Sequence, residues 1–195
     1  ICITVGGSEA LFNIFTALLN KGDKVLIPTP AYPAYESIVT ILGGTVVNYS
    51  LDNEFKIDIE DIKNKIKDMN IKYLVLSLPS NPTGAILSKE EKNKLVQLIK
   101  ENDVIVITDE IYESLCYDEY HSVAQCNEIK DKIIYVGGFS KMFSMTGLRV
   151  GYYACCEKLM NEIIKIHQYN VSCAPSICQW AVYNGLKYGL QDVSY

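Results

Sequence analysis

Short runs rich in β-branched residues alternate along this chain with amphipathic stretches of about 10–15 residues. That alternation is the pattern of strands joined by crossover helices. Parallel neighbours cannot be joined by a tight turn, so the pattern predicts an α/β fold of three layers, a mostly parallel sheet flanked by helices. Apolar spacing places helices over residues 8–19, 35–42, 60–69, 88–100, 157–167 and 176–186. For the first, Ser8 is the expected N-cap and Gly22 stands just past the end. Strands are expected over residues 24–27, stopped by Pro28 and Pro30, and over 45–49, 73–77, 104–108, 132–136 and 149–155. YLVLS and VIVIT, at 73–77 and 104–108, are unbroken apolar runs, which suits central strands covered on both faces. With no repeat, low-complexity tract or linker, residues 1–195 are read as one domain.

Composition narrows the functional classes. The chain is 49% hydrophobic and 21% charged. That is enough apolar material for a full core and far from the signature of disorder. Eighteen Lys and Arg against 23 Asp and Glu give a net charge of -5. The negative balance removes the attraction to phosphate backbones that nucleic-acid binding needs. No apolar run approaches the roughly 18 residues of a membrane span. A soluble, cytoplasmic protein is therefore expected. The chain opens at Ile1 with no Met, basic n-region or apolar h-region, and reads as cut from a longer one. Seven cysteines at irregular spacings show neither paired zinc spacing nor a disulfide framework, so they are expected to be reduced and mostly in the core. Two histidines, His121 and His167, lack a metal-ligand neighbour at helical or hairpin spacing, so no metal is expected.

The chemically suggestive residues follow strand ends: Ala31 and Tyr32, Asn81, Asp109, and Ser140 with Lys141. Ligand sites of open α/β sheets gather on that edge. Gly6-Gly7-Ser8-Glu9 runs into a helix N-terminus, where free N–H groups can receive a phosphate; a plain glycine turn with a serine cap reads the same way. Asp109 closes an apolar strand, either as a helix cap or as a carboxylate in need of a cationic or N–H partner. Lys141 sits among Gly, Phe and Met, which suits either a snorkelling surface lysine or an amine of lowered pKa able to act as nucleophile or base. Tyr32, between prolines, is a turn residue or a stacking ring.

Taken in order, VGGSEAL (5–11), PTPAYPAY (28–35), PSNPTG (79–84), TDEIY (108–112) and GFSKMFSMTGLRVGY (138–152) resemble the class I/II aminotransferases, fold-type I pyridoxal-phosphate enzymes that include aspartate aminotransferase. The resemblance implies that Lys141 forms the internal aldimine with pyridoxal 5'-phosphate and then moves the proton between the substrate Cα and the cofactor C4′. It implies that Asp109 keeps the pyridine nitrogen protonated, that Tyr112 and Asn81 bond the phenolic oxygen, and that Tyr32 stacks on the ring. Main-chain N–H groups of Gly7, Ser8 and Glu9, the Ser140 hydroxyl and Arg149 would hold the phosphate. Where some relatives have a second serine, three residues before the lysine, this chain has Gly138.

The resemblance further implies amino-acid and 2-oxo-acid substrates, a homodimer, and no nucleic-acid or membrane partner. On it, residues 1–195 are the central cofactor-binding large domain, a fragment without the N-terminal arm and C-terminal small domain, and weakly active or inactive alone. Two other expectations stay open: a C–S β-lyase of the cystathionine type on the same fold, and the aminotransferase-like domain of a transcriptional regulator.

Overall fold

The computed structural model describes residues 1–193. Its centre is one seven-stranded sheet of order β1-β7-β6-β5-β4-β2-β3. The strands are β1 (Cys2–Thr4), β2 (Lys24–Thr29), β3 (Thr45–Ser50), β4 (Ile71–Ser77), β5 (Ile105–Asp109), β6 (Ile133–Gly138) and β7 (Gly151–Ala154). The neighbours from β3 across to β6 pair in parallel, and β7 pairs antiparallel with both β6 and β1. The expected mostly parallel sheet is what forms.

The described residues form seven α-helices, of which α1 to α4 flank the sheet: α1 (Gly6–Leu18), α2 (Ala34–Ile41), α3 (Ile59–Met69), α4 (Lys89–Glu101), the single turn α5 (Phe139–Met142), α6 (Glu157–Asn170) and α7 (Ser176–Tyr188). Side chains alternate across a strand, and the core follows that alternation. Val25, Ile27, Val75 and Ile107 pack with Ala10, Leu11, Ile14 and Phe15 of α1 and with Val39 of α2. Leu26, Leu74, Leu76 and Val106 pack on the other face with Ile62 and Ile66 of α3 and Leu95 and Ile99 of α4. A sheet buried on both faces is why YLVLS and VIVIT carry no polar alternation.

Local chemistry sets most ends. Ser88 caps α4 through a reciprocal box with Glu91, each side chain bonding the other's main-chain N–H. Several ends depart from the sequence expectation. Helix α1 starts two residues early, with Val5 at the cap and no side-chain bond there, so Ser8 lies inside the first turn. The strand expected to stop before Pro28 continues through it; the ladder to β4 ends at Leu26, leaving Pro28 a neighbour only in β3, as prolines in strands require. Residues 2–4, where no strand is expected, form β1 because they pair with β7, far along the chain. Arg149 lies outside β7, at the end of a 3-10 turn over Thr146–Leu148.

The cysteines are all free but not mostly core: Cys2 alone among them is buried, and Cys173 is exposed. Cys178 lies in α7, and most of the others sit at strand ends or in connecting segments, where a small thiol half-packs against the core edge, as Cys126 and Cys155 do. Among the described residues no three metal-ligating side chains converge, and no helix is long and apolar enough to cross a membrane.

Candidate active site

The C-terminal ends of β4, β5 and β6 and the N-terminus of α1 surround a cavity of about 260 Å³. Gly7, Ser8, Tyr32, Asn81, Asp109, Tyr112, Ser140, Lys141 and Arg149 all line it, drawn together from separate stretches of the chain. A larger cleft of about 730 Å³ lies on the other face of the sheet, bordered by Glu110 and Tyr135, and holds none of them.

Asp109 is the last residue of β5 and is buried on the α1 face. Burial lifts its carboxyl above the usual range. Bonds from the Tyr35 hydroxyl at 2.7 Å and the Ile111 N–H at 3.3 Å offset part of that rise. No described cation lies within ion-pair distance. Tyr35, which reaches Ser77 Oγ at 3.1 Å, braces the carboxylate from α2. Neither Tyr35 nor Ser77 stands out in the sequence. Each has only an ordinary local signal, and their roles arise from the junction of α2 with β4 and β5.

The opposite end of the cavity is rich in donors. The first N–H groups of α1 have no helical partner and lie at the positive end of its dipole. Arg149 adopts a left-handed backbone (φ 53°), and its guanidinium donates from Nη1 to the Thr146 carbonyl at 3.0 Å. Its fork lies against Gly6, where a Cβ would stand 2.5 Å from Nη2 and 2.9 Å from Cζ. Gly151 permits an equally close approach, since a Cβ there would sit 2.5 Å from the main chain of Gly6 and Gly7. The strained arginine and both glycines thus bring a fixed cation to a helix N-terminus, the donor set of an anion site.

Gly6 itself has φ +73°. Gly6→Ala therefore adds backbone strain of about 1–2 kcal/mol and pushes the guanidinium aside. Urea unfolding should register that loss. Titration with pyridoxal phosphate should show affinity lower by at least about tenfold, since a charge-assisted bond contributes about 1.5–3 kcal/mol.

Glu9 is placed differently. Its side chain turns away from the cavity into a buried cluster, accepting the Val5 N–H and the Asn13 amide (2.7 Å) and meeting His167 Nδ1 at 2.8 Å. It ties α1 to α6, and because Val5 is the N-cap, the Glu9 main-chain N–H is spent on the first helical bond, so Glu9, expected at the phosphate, is not part of the donor set. Lys141 follows the end of β6 as expected, on the helical turn α5, with Nζ 5.4 Å from the centre of the Tyr112 ring. Ser140 beside it is buried, and its carbonyl accepts the Thr146 hydroxyl at 3.1 Å.

The arrangement has an amine in the middle, a cation with helix N–H groups at one end and a buried carboxylate without a cation at the other. Those are the groups that an aldehyde, a phosphate and a protonated pyridine nitrogen require, so the residues fit pyridoxal phosphate.

Comparison with known proteins agrees. Residues 1–194 match the family model described as aminotransferase class I and II. A Bacillus subtilis relative, named "Probable N-acetyl-LL-diaminopimelate aminotransferase", is 40% identical over 194 residues, 98% of this chain and 49% of its own length. Aspartate aminotransferase of Thermotoga maritima is 36% identical over 190 residues, 96% of this chain and 50% of its own. The crystal structure of an aromatic aminotransferase from Pyrococcus horikoshii superposes with a TM-score of 0.90 at 32% identity, covering 97% of this chain and 53% of that one. The chain spans about half the length of the curated relatives it matches. Matched by that model over nearly all its residues, and covered almost end to end by such relatives, the chain belongs to the class I and II aminotransferases.

Proposed function

We propose that this chain is the cofactor-binding large domain of an aminotransferase that moves the amino group of an L-amino acid to a 2-oxo acid. The family is pyridoxal-phosphate dependent. The observation that carries the reading is one cavity uniting Lys141, a buried Asp109 without a cation, and Arg149 against the α1 N-terminus. When bound, the cofactor supplies a carbonyl carbon that receives the amino group and a ring that accepts electron density from the substrate Cα.

In this reading Lys141 contributes the amine that anchors that carbonyl carbon and then carries the proton between Cα and C4′. Asp109 holds the ring nitrogen protonated. Asn81 and Tyr112 bond the phenolic oxygen, and Tyr32 covers a ring face. The N–H groups of Gly7 and Ser8, the Ser140 hydroxyl and Arg149 hold the phosphate. The three relatives named above act on different amino acids by name, so the substrate is proposed as a class. A cytoplasmic homodimer belongs to the same reading; exposed Ile177 and Trp180 on α7 are apolar surface of the kind that further domains or subunits cover. The net charge of -5 disfavours a nucleic-acid partner.

The test is an absorption titration of the chain with pyridoxal phosphate, then borohydride reduction and peptide mapping. A visible band with the label on Lys141 is expected; a label scattered over surface lysines in the full-length protein overturns the assignment. The full-length protein should form glutamate from 2-oxoglutarate. Pyruvate and sulfide from cysteine would point to a lyase.

A further inference from the structure

The mechanism above leaves Glu110 unused, although it adjoins Asp109. Strand alternation turns it to the opposite face, beside Thr108. It is 2% exposed, and both its oxygens are engaged. Oε1 accepts the hydroxyls of Thr108 (2.7 Å) and Ser122 (2.6 Å), while Oε2 meets the Tyr120 hydroxyl. Ser122 Oγ also accepts the Ala124 N–H at 3.0 Å. The charged and titratable groups that face Glu110 or line the cleft beside it are Glu113, Tyr120, Tyr135, Tyr152, Lys130, Asp131, Cys155, Cys156 and Glu157, and no described cation lies within ion-pair distance.

Proton counting then becomes decisive. Tyr120 Oη lies within hydrogen-bond distance of both Glu110 Oε2 and the Leu78 carbonyl, the latter at 3.2 Å. A phenol has only one proton to give. If Glu110 is ionised, that proton goes to the carboxylate and the carbonyl of buried Leu78 loses its donor. If Glu110 is a neutral acid, every group is satisfied. Leu78 is also held from its other side, its N–H donating to the Asp109 carbonyl at 3.1 Å. Three residues beyond Leu78 comes Asn81.

We propose that Glu110 is a positioning residue for the cofactor site: as a neutral acid it donates to Tyr120 Oη, freeing the phenol to donate to Leu78 and so tying the Asn81 loop to the strand end that bears Asp109. The link to the cofactor rests on the function proposed above; the clamp itself does not. Burial, which raises the Glu110 carboxyl above its ordinary range, acts in the same direction.

The test uses Glu110→Gln, Glu110→Ala and Tyr120→Phe in the full-length protein. In the infrared spectrum at neutral pH without cofactor, wild type minus Glu110→Gln should show the C=O stretch of a protonated carboxylic acid. The glutamine can accept from Thr108 and Ser122 and donate to Tyr120, so it should keep wild-type amide exchange over residues 78–84 and cofactor affinity within about twofold. Glu110→Ala and Tyr120→Phe should speed that exchange and weaken the cofactor by about fivefold or more, as loss of one buried hydrogen bond implies. An absent band, or a glutamine variant as loose as the alanine one, overturns the proposal. Should Glu110→Ala fail to fold, Tyr120→Phe decides, and unchanged exchange and affinity there overturn it equally. If the wild type binds no cofactor, the functional reading fails, while the infrared and exchange results still decide the clamp.

Discussion

Lys141→Ala should lower transamination by the full-length protein by at least about 10³-fold while leaving the fold nearly unchanged. The two effects separate because they have different sizes. What the side chain contributes to packing is a cation 5.4 Å from the Tyr112 ring centre on a half-exposed turn. Such a contact is worth about 0.5–1 kcal/mol. What it contributes to chemistry is a positioned proton carrier, which typically accounts for about 10²–10⁴ in rate, together with covalent attachment of the cofactor. Lys141→Arg is the sharper control. It keeps a positive charge at that place but holds its proton at all working pH, so it should be as inactive as alanine. The measurement is oxo-acid formation from a panel of amino acids with 2-oxoglutarate as acceptor, with thermal unfolding of each variant beside it. Turnover within tenfold of wild type in either variant would remove Lys141 from the reaction.

Periodicity alone finds the central strands, because VIVIT and YLVLS are buried on both faces and that local composition has one meaning. Asp109 stands out in the sequence because it closes an apolar strand, and Lys141 because it is a charge among Gly, Phe and Met; charges so placed need a partner or a task. Strand β1 does not stand out: three residues have no periodicity of their own, and only β7, from far along the chain, makes them a strand. Ser8 looks like a cap because a serine before an apolar run is the common signal. The structure starts the helix at Gly6 instead, where the absent side chain leaves room for Arg149. That adjustment joins residues far apart in the chain, so no window of sequence displays it. Tyr35 and Glu110 stay silent for the same reason, since their partners come from other elements.

Asp109→Asn should cut activity by about 10²–10³-fold, the scale on which removal of one preorganised electrostatic group is felt, and yet stabilise the chain without cofactor at neutral pH. Burial raises the carboxyl, so the folded chain binds this proton more tightly than the unfolded chain does. The wild-type contribution is therefore most favourable below the unfolded pKa of about 3.9, and it declines as pH rises through the raised folded pKa. Asparagine has no such titration. It also fits the existing bonds: its oxygen accepts the Ile111 N–H, its amide donates to Tyr35, and the Tyr35 hydroxyl turns to Ser77, already 3.1 Å away. Nothing buried is left without a partner. The asparagine cannot, however, supply the negative charge that keeps a pyridine nitrogen protonated. Thermal unfolding from pH 4 to 8 without cofactor should show the variant gaining on wild type as pH rises, while its turnover stays low throughout. A variant less stable than wild type at neutral pH would mean that Asp109 already has a cationic partner in the chain, and a buried anion held for a cofactor would no longer be the explanation of its place at the end of β5.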